Sequence, residues 1–291
     1  MGSPQFFSIV KLSSGNGVAG YVFEPQGEHL SAVAIPQPGT QIPNFRVLGV
    51  RVDAVQIPDA IKILETWIEE RGPARYVAVT GMHGVSVSRE DAEFGGVLRH
   101  ASLVVADGMP LVWLGRLQGH KQMRRRVYGP ELMETFCRET GSRYRHFFYG
   151  GAPGVAENLA KVEHERHGIQ IAGTYCPPFR ALTAEEETEV QRLIEEVRPD
   201  VLWVGLSTPK QERWMYEHRN TLGVPVMLGV GAAFDLNTGR LKQAPSWMRE
   251  NGLEWLFRLC AEPRRLWQRY VVSGSKFLWA VCLEHFLPRI L

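Results

Sequence analysis

From Asn44 onward the chain alternates short apolar runs with longer amphipathic segments, and this alternation restricts the possible folds more than any other feature. Six runs stand out: Tyr76–Thr80, Leu103–Ala106, His146–Tyr149, Ile169–Ala172, Val201–Gly205 and Val226–Val230. Their length suits buried strands. Helix-length segments lie between them. In Asp59–Arg71, residues Ala60, Ile61, Leu64, Trp67 and Ile68 fall on one face at helical spacing, and Ala184–Val197 follows Thr183, a candidate N-cap. The pattern predicts an α/β, Rossmann-like domain with a largely parallel sheet flanked by helices. Ligands of such sheets bind outside the carboxyl ends of the strands.

Those ends hold glycines and polar residues. The first run leads to Thr80-Gly81-Met82-His83, the second to Asp107-Gly108-Met109-Pro110 and the third to Gly150-Gly151-Ala152-Pro153-Gly154. The fifth leads to Leu206-Ser207-Thr208-Pro209-Lys210-Gln211-Glu212 and the sixth to Gly231-Ala232-Ala233-Phe234-Asp235. Taken singly, each has a plain reading as a turn. Residues 150–154 make a strand-to-helix turn or hold a phosphate on backbone amides. Asp107 caps a turn or acts as a base, Asp235 is a turn residue or binds a hydroxyl, and His83 is a hydrogen-bonded bystander or a second acid/base. The basic run Lys121 and Arg124–Arg126 reads as a solvated helix end.

The last segment differs from the rest. Between Ser246 and Leu291 there are seven Lys/Arg against four Glu, and four of the chain's eight Trp: Trp247, Trp255, Trp267 and Trp279. Guanidinium groups match phosphates, and Trp matches the boundary between headgroups and acyl chains. A phosphorylated lipid would satisfy both. The alternative is a helical hairpin packed on the domain with its arginines solvated. The expected boundaries are a tail or β-rich arm over 1–43, an α/β domain over 44–245 and a helical C-terminal appendage over 246–291.

At 291 residues and 44% apolar, the chain can bury a sizeable core. The net charge of +2 excludes neither nucleic acid nor membrane, so any basic partner site is local; the C-terminal cluster is such a site, and the expected partner is an anionic membrane surface, with no nucleic acid. Cys137, Cys176, Cys260 and Cys282 are far apart and show no metal or disulfide spacing, which fits a reducing cytoplasm. No run approaches the ~20 apolar residues of a membrane span; the nearest, Phe277–Leu283, has seven. The N-terminus carries neither a signal-peptide pattern nor a myristoylation motif. A homo-oligomer is compatible with the sequence.

Read together, the motifs resemble the WecG/TagA/CpsF glycosyltransferases, glycosyltransferase family 26, over roughly Phe45 to Tyr270. The matching elements are Ala-Asp-Gly at Ala106–Gly108, Arg-Val-x-Gly at Arg126–Gly129, Gly150–Gly151, Val-Gly-Leu-x-x-Pro-Lys-Gln-Glu at Val204–Glu212 and Gly-Val-Gly-x-x-Phe-Asp at Gly229–Asp235. Leu-Glu-Trp-Leu-x-Arg-Leu at Leu253–Leu259 and Glu-Pro-x-Arg-Leu-x-x-Arg-Tyr at Glu262–Tyr270 complete them. Two positions depart: Met82 stands where the family commonly has Asn, and Gln243 where it has Arg.

The resemblance implies an inverting transfer from a UDP-sugar to a polyprenyl-diphosphate-linked saccharide at the cytoplasmic face of the bacterial membrane, in cell-surface or exopolysaccharide assembly. It implies Asp107 as base, with Thr80, Arg126 and Gln211 also in the catalytic set. It assigns Gly150, Gly151, Pro209, Lys210, Glu212, Gly231, Asp235, Arg258, Arg265 and Arg269 to UDP or substrate, and Trp267 and Trp279 to membrane contact. No cofactor is expected. The chain's six aspartates form no Asp-x-Asp pair, so arginine is expected to take the place of a divalent ion. A dinucleotide-binding oxidoreductase would need Gly-x-Gly-x-x-Gly after the first strand, which is absent. A non-catalytic, membrane-peripheral binding protein of the same assembly machinery is the alternative.

Overall fold

The structure, a computed structural model, describes residues 8–12, 20–24 and 42–286. The chain divides into two compact units, Met1–Thr40 and Gln41–Leu291. In the first, β1 (Ser8–Leu12) pairs antiparallel with β2 (Gly20–Glu24); the remainder of the expected arm, apart from residues 42 and 43, lies outside the described residues. The second unit opens with the hairpin β3 (Asn44–Val47) and β4 (Val50–Asp53).

All six apolar runs are strands: β5 (Arg75–Thr80), β6 (Leu103–Ala106), β7 (Arg145–Gly150), β8 (Gln170–Tyr175), β9 (Val201–Gly205) and β10 (Val226–Gly229). They form one parallel sheet in the order β6-β5-β10-β9-β7-β8. Successive residues point to opposite faces, so Tyr76, Ala78, Phe147, Tyr149, Leu202 and Val204 enter one core, and Val77, Val79, Phe148, Val201, Trp203 and Leu228 the other. A sheet apolar on both faces must be covered on both.

The covering helices are α1 (Ile57–Glu70), α2 (Met82–Glu90), α3 (Ala92–His100), α4 (Met109–Leu117), α5 (Gly129–Thr140), α6 (Val155–His167), α7 (Ala184–Val197), α8 (Lys210–His218) and α9 (Ala233–Asn237). Helices α2, α3, α4, α7 and α8 pack into the first core, and α1, α5, α6 and α9 into the second. α1 starts two residues before the expected Asp59, because the Asp59 carboxylate turns back to accept from the Gln56 amide (3.0 Å) and Pro58 is tolerated in a first turn. α7 has the expected bounds, with Thr183 and Glu186 capping each other reciprocally. The Asp53 carboxylate accepts from the Val104 amide (2.8 Å), which secures the hairpin to the outer strand β6.

The chain steps from β5 out to β6, crosses to β7 and β8, and returns through β9 to β10 beside β5. This reversal opens a crevice over the carboxyl ends of β5, β10, β9 and β7. The C-terminal segment lies over it as α10 (Ser246–Glu250), α11 (Glu254–Ala261), α12 (Pro263–Trp267), a π-helical turn at Gln268–Val272, and α13 (Ser273–Phe286). It buries Leu266, Phe277 and Ala280. Ser86 Oγ on α2 donates to the Ser273 carbonyl (3.2 Å), and Lys276 pairs with Glu90 (2.7 Å). Trp267 and Trp279 remain exposed, at 48% and 68%.

Candidate active site

Each wall of the crevice follows from how a strand ends. After β6 the ladder continues by one residue: the Asp107 amide donates to the Thr80 carbonyl (2.8 Å), and the Val127 amide to the Ala106 carbonyl (2.8 Å). Asp107 is therefore held at the rim by backbone bonds on both sides, immediately before α4. After β7 the backbone at Gly150 takes φ +133°, and a Cβ there would lie 2.6 Å from the Gly205 carbonyl oxygen. Only glycine lets β7 and β9 close at this point. After β9 the chain turns at Ser207 and Thr208 into α8, where Thr208 Oγ1 (2.9 Å) and Gln211 Nε2 (3.0 Å) both donate to Glu212 Oε1.

The result is a cleft of about 440 Å³, within the size range of ligand sites. Asp107, Gln211, Gly151, Gly231, Asp235 and the three arginines Arg258, Arg265 and Arg269 line it together. A smaller chamber of about 110 Å³ adjoins it. The two share a wall that includes His83, Asp107, Tyr128, Thr208, Arg258 and Arg269.

Several expected residues stand behind this surface. Of these two chambers Arg126 lines the smaller, not the larger. Thr80 is 1% exposed and lies under α2, so close that a methyl group on Gly84 would fall 2.1 Å from its Oγ1. Its backbone carbonyl holds Asp107, and its Oγ1 is shielded from solvent without a hydrogen-bond partner among the described residues. Gly150 makes the strand crossing, and Glu212 is fully buried as the acceptor that fixes Thr208 and Gln211. Pro209 and exposed Lys210 begin α8 outside the lining. Asp235 lines the cleft and also pairs with Arg240 (3.2 Å).

The electrostatics centre on Asp107. Its Oδ1 is shielded from solvent and has no hydrogen-bond partner. That burial pushes its pKa up to about 6, against the pull of Arg126, with Glu254 adding to the rise and Arg269 and Arg258 opposing it. Arg126 forms a part-buried ion pair with Glu254, which also accepts from the Tyr128 hydroxyl (2.6 Å), and the guanidinium lies 4.0 Å over the Tyr128 ring. Burial works against the Arg126 charge, but Asp107 and Glu254 more than offset it and raise its pKa. In the basic run Arg124 and Arg125 instead give their backbone amides to Gln56 Oε1.

Arg265 is held by Glu262 (2.5 Å). Arg258 and Arg269 have no ion-pair or hydrogen-bond partner for their side chains among the described residues. Two unpaired guanidinium groups beside a carboxylate that keeps much of its basicity form a place for an anionic ligand next to a proton acceptor. Among the described residues no group of three or more His, Cys, Asp or Glu comes together to hold a metal ion.

Sequence reasoning did not single out Tyr128 and Glu254. Both lie inside the quoted motifs, yet nothing in their spacing shows that two residues 126 positions apart meet.

Residues 45–290 match the family described as glycosyl transferase WecG/TagA/CpsF. Three curated relatives carry the name N-acetylglucosaminyldiphosphoundecaprenol N-acetyl-beta-D-mannosaminyltransferase. The Bacillus spizizenii protein is 28% identical over 232 residues, covering 79% of this chain and 87% of its own. The Bacillus subtilis protein is 29% identical over 67% of this chain and 74% of its own. The Staphylococcus aureus protein is 27% identical over 76% and 85%. With the match running through every strand of the sheet and every arginine over the cleft, the chain belongs to the WecG/TagA/CpsF glycosyltransferase family.

Proposed function

We propose that this protein is a metal-independent, inverting glycosyltransferase that moves a sugar from a UDP-sugar to a hydroxyl of a polyprenyl-diphosphate-linked saccharide in bacterial cell-surface polysaccharide assembly. One observation carries the reading: two chambers meet at the Asp107 carboxylate, one oxygen of which is shielded from solvent, flanked by unpaired arginines. The relatives' names, which specify a diphosphoundecaprenol-linked N-acetylglucosamine acceptor, support the acceptor class.

In this mechanism the larger chamber takes the UDP moiety, and the acceptor hydroxyl approaches Asp107 from the opposite side of the anomeric carbon. The hydroxyl oxygen attacks that carbon as its proton passes to the Asp107 carboxylate. The bond from the anomeric carbon to the β-phosphate oxygen breaks, its electron pair leaving with UDP, and the configuration inverts. Arg258 and Arg269, with Arg265 at the edge, face the growing negative charge. A charge pair at 4 Å is worth about 4 kcal/mol at an effective dielectric of 20, so two arginines suffice for a role often given to a divalent ion.

Among the described residues no helix is long and apolar enough to cross a membrane. The lipid-linked acceptor is met at the inner membrane surface through the aromatic, basic C-terminal segment. The test is transfer from a panel of UDP-sugars to synthetic polyprenyl-diphosphate-linked N-acetylglucosamine, with and without excess chelator, and assignment of the product anomer by NMR. We expect an inverted product that forms in the presence of chelator. Absence of transfer from every donor, or retention of configuration, would overturn the reaction; loss on chelation with rescue by magnesium or manganese would overturn metal independence.

A further inference from the structure

The smaller chamber differs in chemistry from the larger one. Met82, Met109, Pro110, Trp255 and Tyr270 give it apolar surface, and the Trp255 and Tyr270 rings stand 6.4 Å apart with a tilt of 59°. Four of the polar side chains that reach it are already engaged, whereas Asp107 Oδ1, Arg258 and Arg269 are without partners among the described residues. Arg126, Tyr128 and Glu254 are tied to one another, and Thr208 to Glu212. His83 is not. Its Nδ1 is shielded from solvent without a partner, and neither ring nitrogen is hydrogen-bonded among the described residues.

We propose that this chamber is the acceptor-sugar subsite, in which a pyranose lays its C–H face against Trp255 and Tyr270 and His83 hydrogen-bonds a ring substituent, presenting the reacting hydroxyl to Asp107. The proposal rests on the glycosyl-transfer reading above. A bound ligand can satisfy a shielded polar atom that has no partner, and unlike the shielded atoms elsewhere in the fold, His83 lies on the wall common to both chambers. Its neighbour Met82 has no polar group to offer an uncharged sugar. Burial, reinforced by Arg269, pushes the His83 pKa down to about 4. The imidazole is therefore neutral near pH 7 and can both donate and accept a hydrogen bond, as a hydroxyl or acetamido group requires. A charged imidazole would instead join Arg258 and Arg269 in binding phosphate. The subsite is thus divided by chemistry, with arginines for the diphosphate and a neutral ring with aromatic faces for the sugar.

The experiment is calorimetric binding of farnesyl-diphosphate-linked N-acetylglucosamine, of sugar-free farnesyl diphosphate and of UDP to the full chain and to His83→Leu, His83→Asn and Trp255→Ala. Trp255 is 40% exposed, so its removal leaves the core intact. We expect His83→Leu and Trp255→Ala each to weaken the sugar-bearing probe about tenfold, His83→Asn to recover most of the affinity, and UDP and farnesyl diphosphate to bind each variant as they bind the wild type. The inference is overturned if His83→Leu binds the sugar-bearing probe like the wild type, if it loses UDP or farnesyl diphosphate equally, or if the wild type does not bind the probe. Parallel transfer assays separate the two readings. Binding that depends on His83 without transfer from any donor removes the reaction and leaves the subsite; transfer indifferent to His83 and Trp255 removes the subsite and leaves the reaction.

Discussion

Arg126 and Glu254 form a part-buried ion pair across 128 positions of sequence, joining the loop after α4 to the start of α11. The pair fastens the C-terminal segment to the rim that carries Asp107. Breaking a fully buried pair by removing one partner costs about 3–5 kcal/mol, because the other charge is left uncompensated; Arg126 keeps some solvent contact, so this is an upper bound here. Glu254→Ala should lower unfolding free energy by up to that amount in urea melts, and more than Glu254→Gln, which keeps an acceptor for Tyr128. Glu254 also contributes to raising the Asp107 pKa. Its removal should shift the acidic limb of the kcat/KM profile to lower pH, and an unmoved limb would separate the ion pair from the base.

Asp107 itself sets the second expectation. Its pKa of about 6 lies above the ordinary carboxylate range, and only the ionised form accepts a proton. Turnover should therefore be lost as pH falls through about 6 and be level above it. Asp107→Asn should reduce kcat by roughly two to four orders of magnitude, remove that limb, and leave UDP affinity nearly intact by calorimetry. Wild-type turnover in this variant would exclude Asp107 as base.

The sheet was legible in the sequence because a parallel strand buried on both faces leaves an uninterrupted apolar run, and all six such runs are strands. The hairpin β3–β4 is not legible in the same way. Its strands are four residues each, and their partner is the β6 edge through Asp53, a contact that no local pattern announces. Of the expected site residues, Asp107, Gln211, Asp235, Arg258, Arg265 and Arg269 converge on one cleft, because strand ends and the overlying segment are where chain reversal creates space. Thr80 and Glu212 have motif positions that do not distinguish a residue touching the ligand from one holding its neighbour. His83 was visible as a loop histidine, but only the fold shows that it faces both chambers without a partner.

Glu212 permits a test of its supporting role. Burial raises its pKa, with the bonds from Gln211 and Thr208 acting in the opposite direction. A carboxyl whose folded pKa exceeds the unfolded value holds its proton more tightly in the native state. Its stabilising contribution is complete below the unfolded pKa, about 4.3 for Glu, and is lost as pH rises through the folded value. Glu212→Gln lacks this titration. The stability of the variant relative to wild type, from urea melts at a series of pH values, should increase from about pH 4 upward until the folded Glu212 is ionised. A difference that is flat with pH would mean that the carboxylate ionises in the fold as readily as in the unfolded chain.

The C-terminal segment should divide its labour between residues that face the cleft and residues that face solvent. Arg258 and Arg269 line the cleft unpaired, whereas Trp279 and Leu278 are 68% and 56% exposed. Because Leu266 and Phe277 are buried, deletion of the whole segment would strip the core, and point substitutions are the cleaner probe. Trp279→Ala with Leu278→Ala should weaken sedimentation with anionic vesicles while leaving turnover on a water-soluble, short-chain acceptor unchanged. Arg258→Ala and Arg269→Ala should lower turnover on that same acceptor, since the departing diphosphate loses a donor, and should change vesicle binding little. Attraction to an anionic surface is worth about 1 kcal/mol per basic residue and is screened by salt, so wild-type vesicle binding should decline as ionic strength rises. If the doubly substituted protein sediments like wild type, the exposed aromatic face has no part in membrane contact; if the arginine variants turn over normally, the leaving group is stabilised by something else.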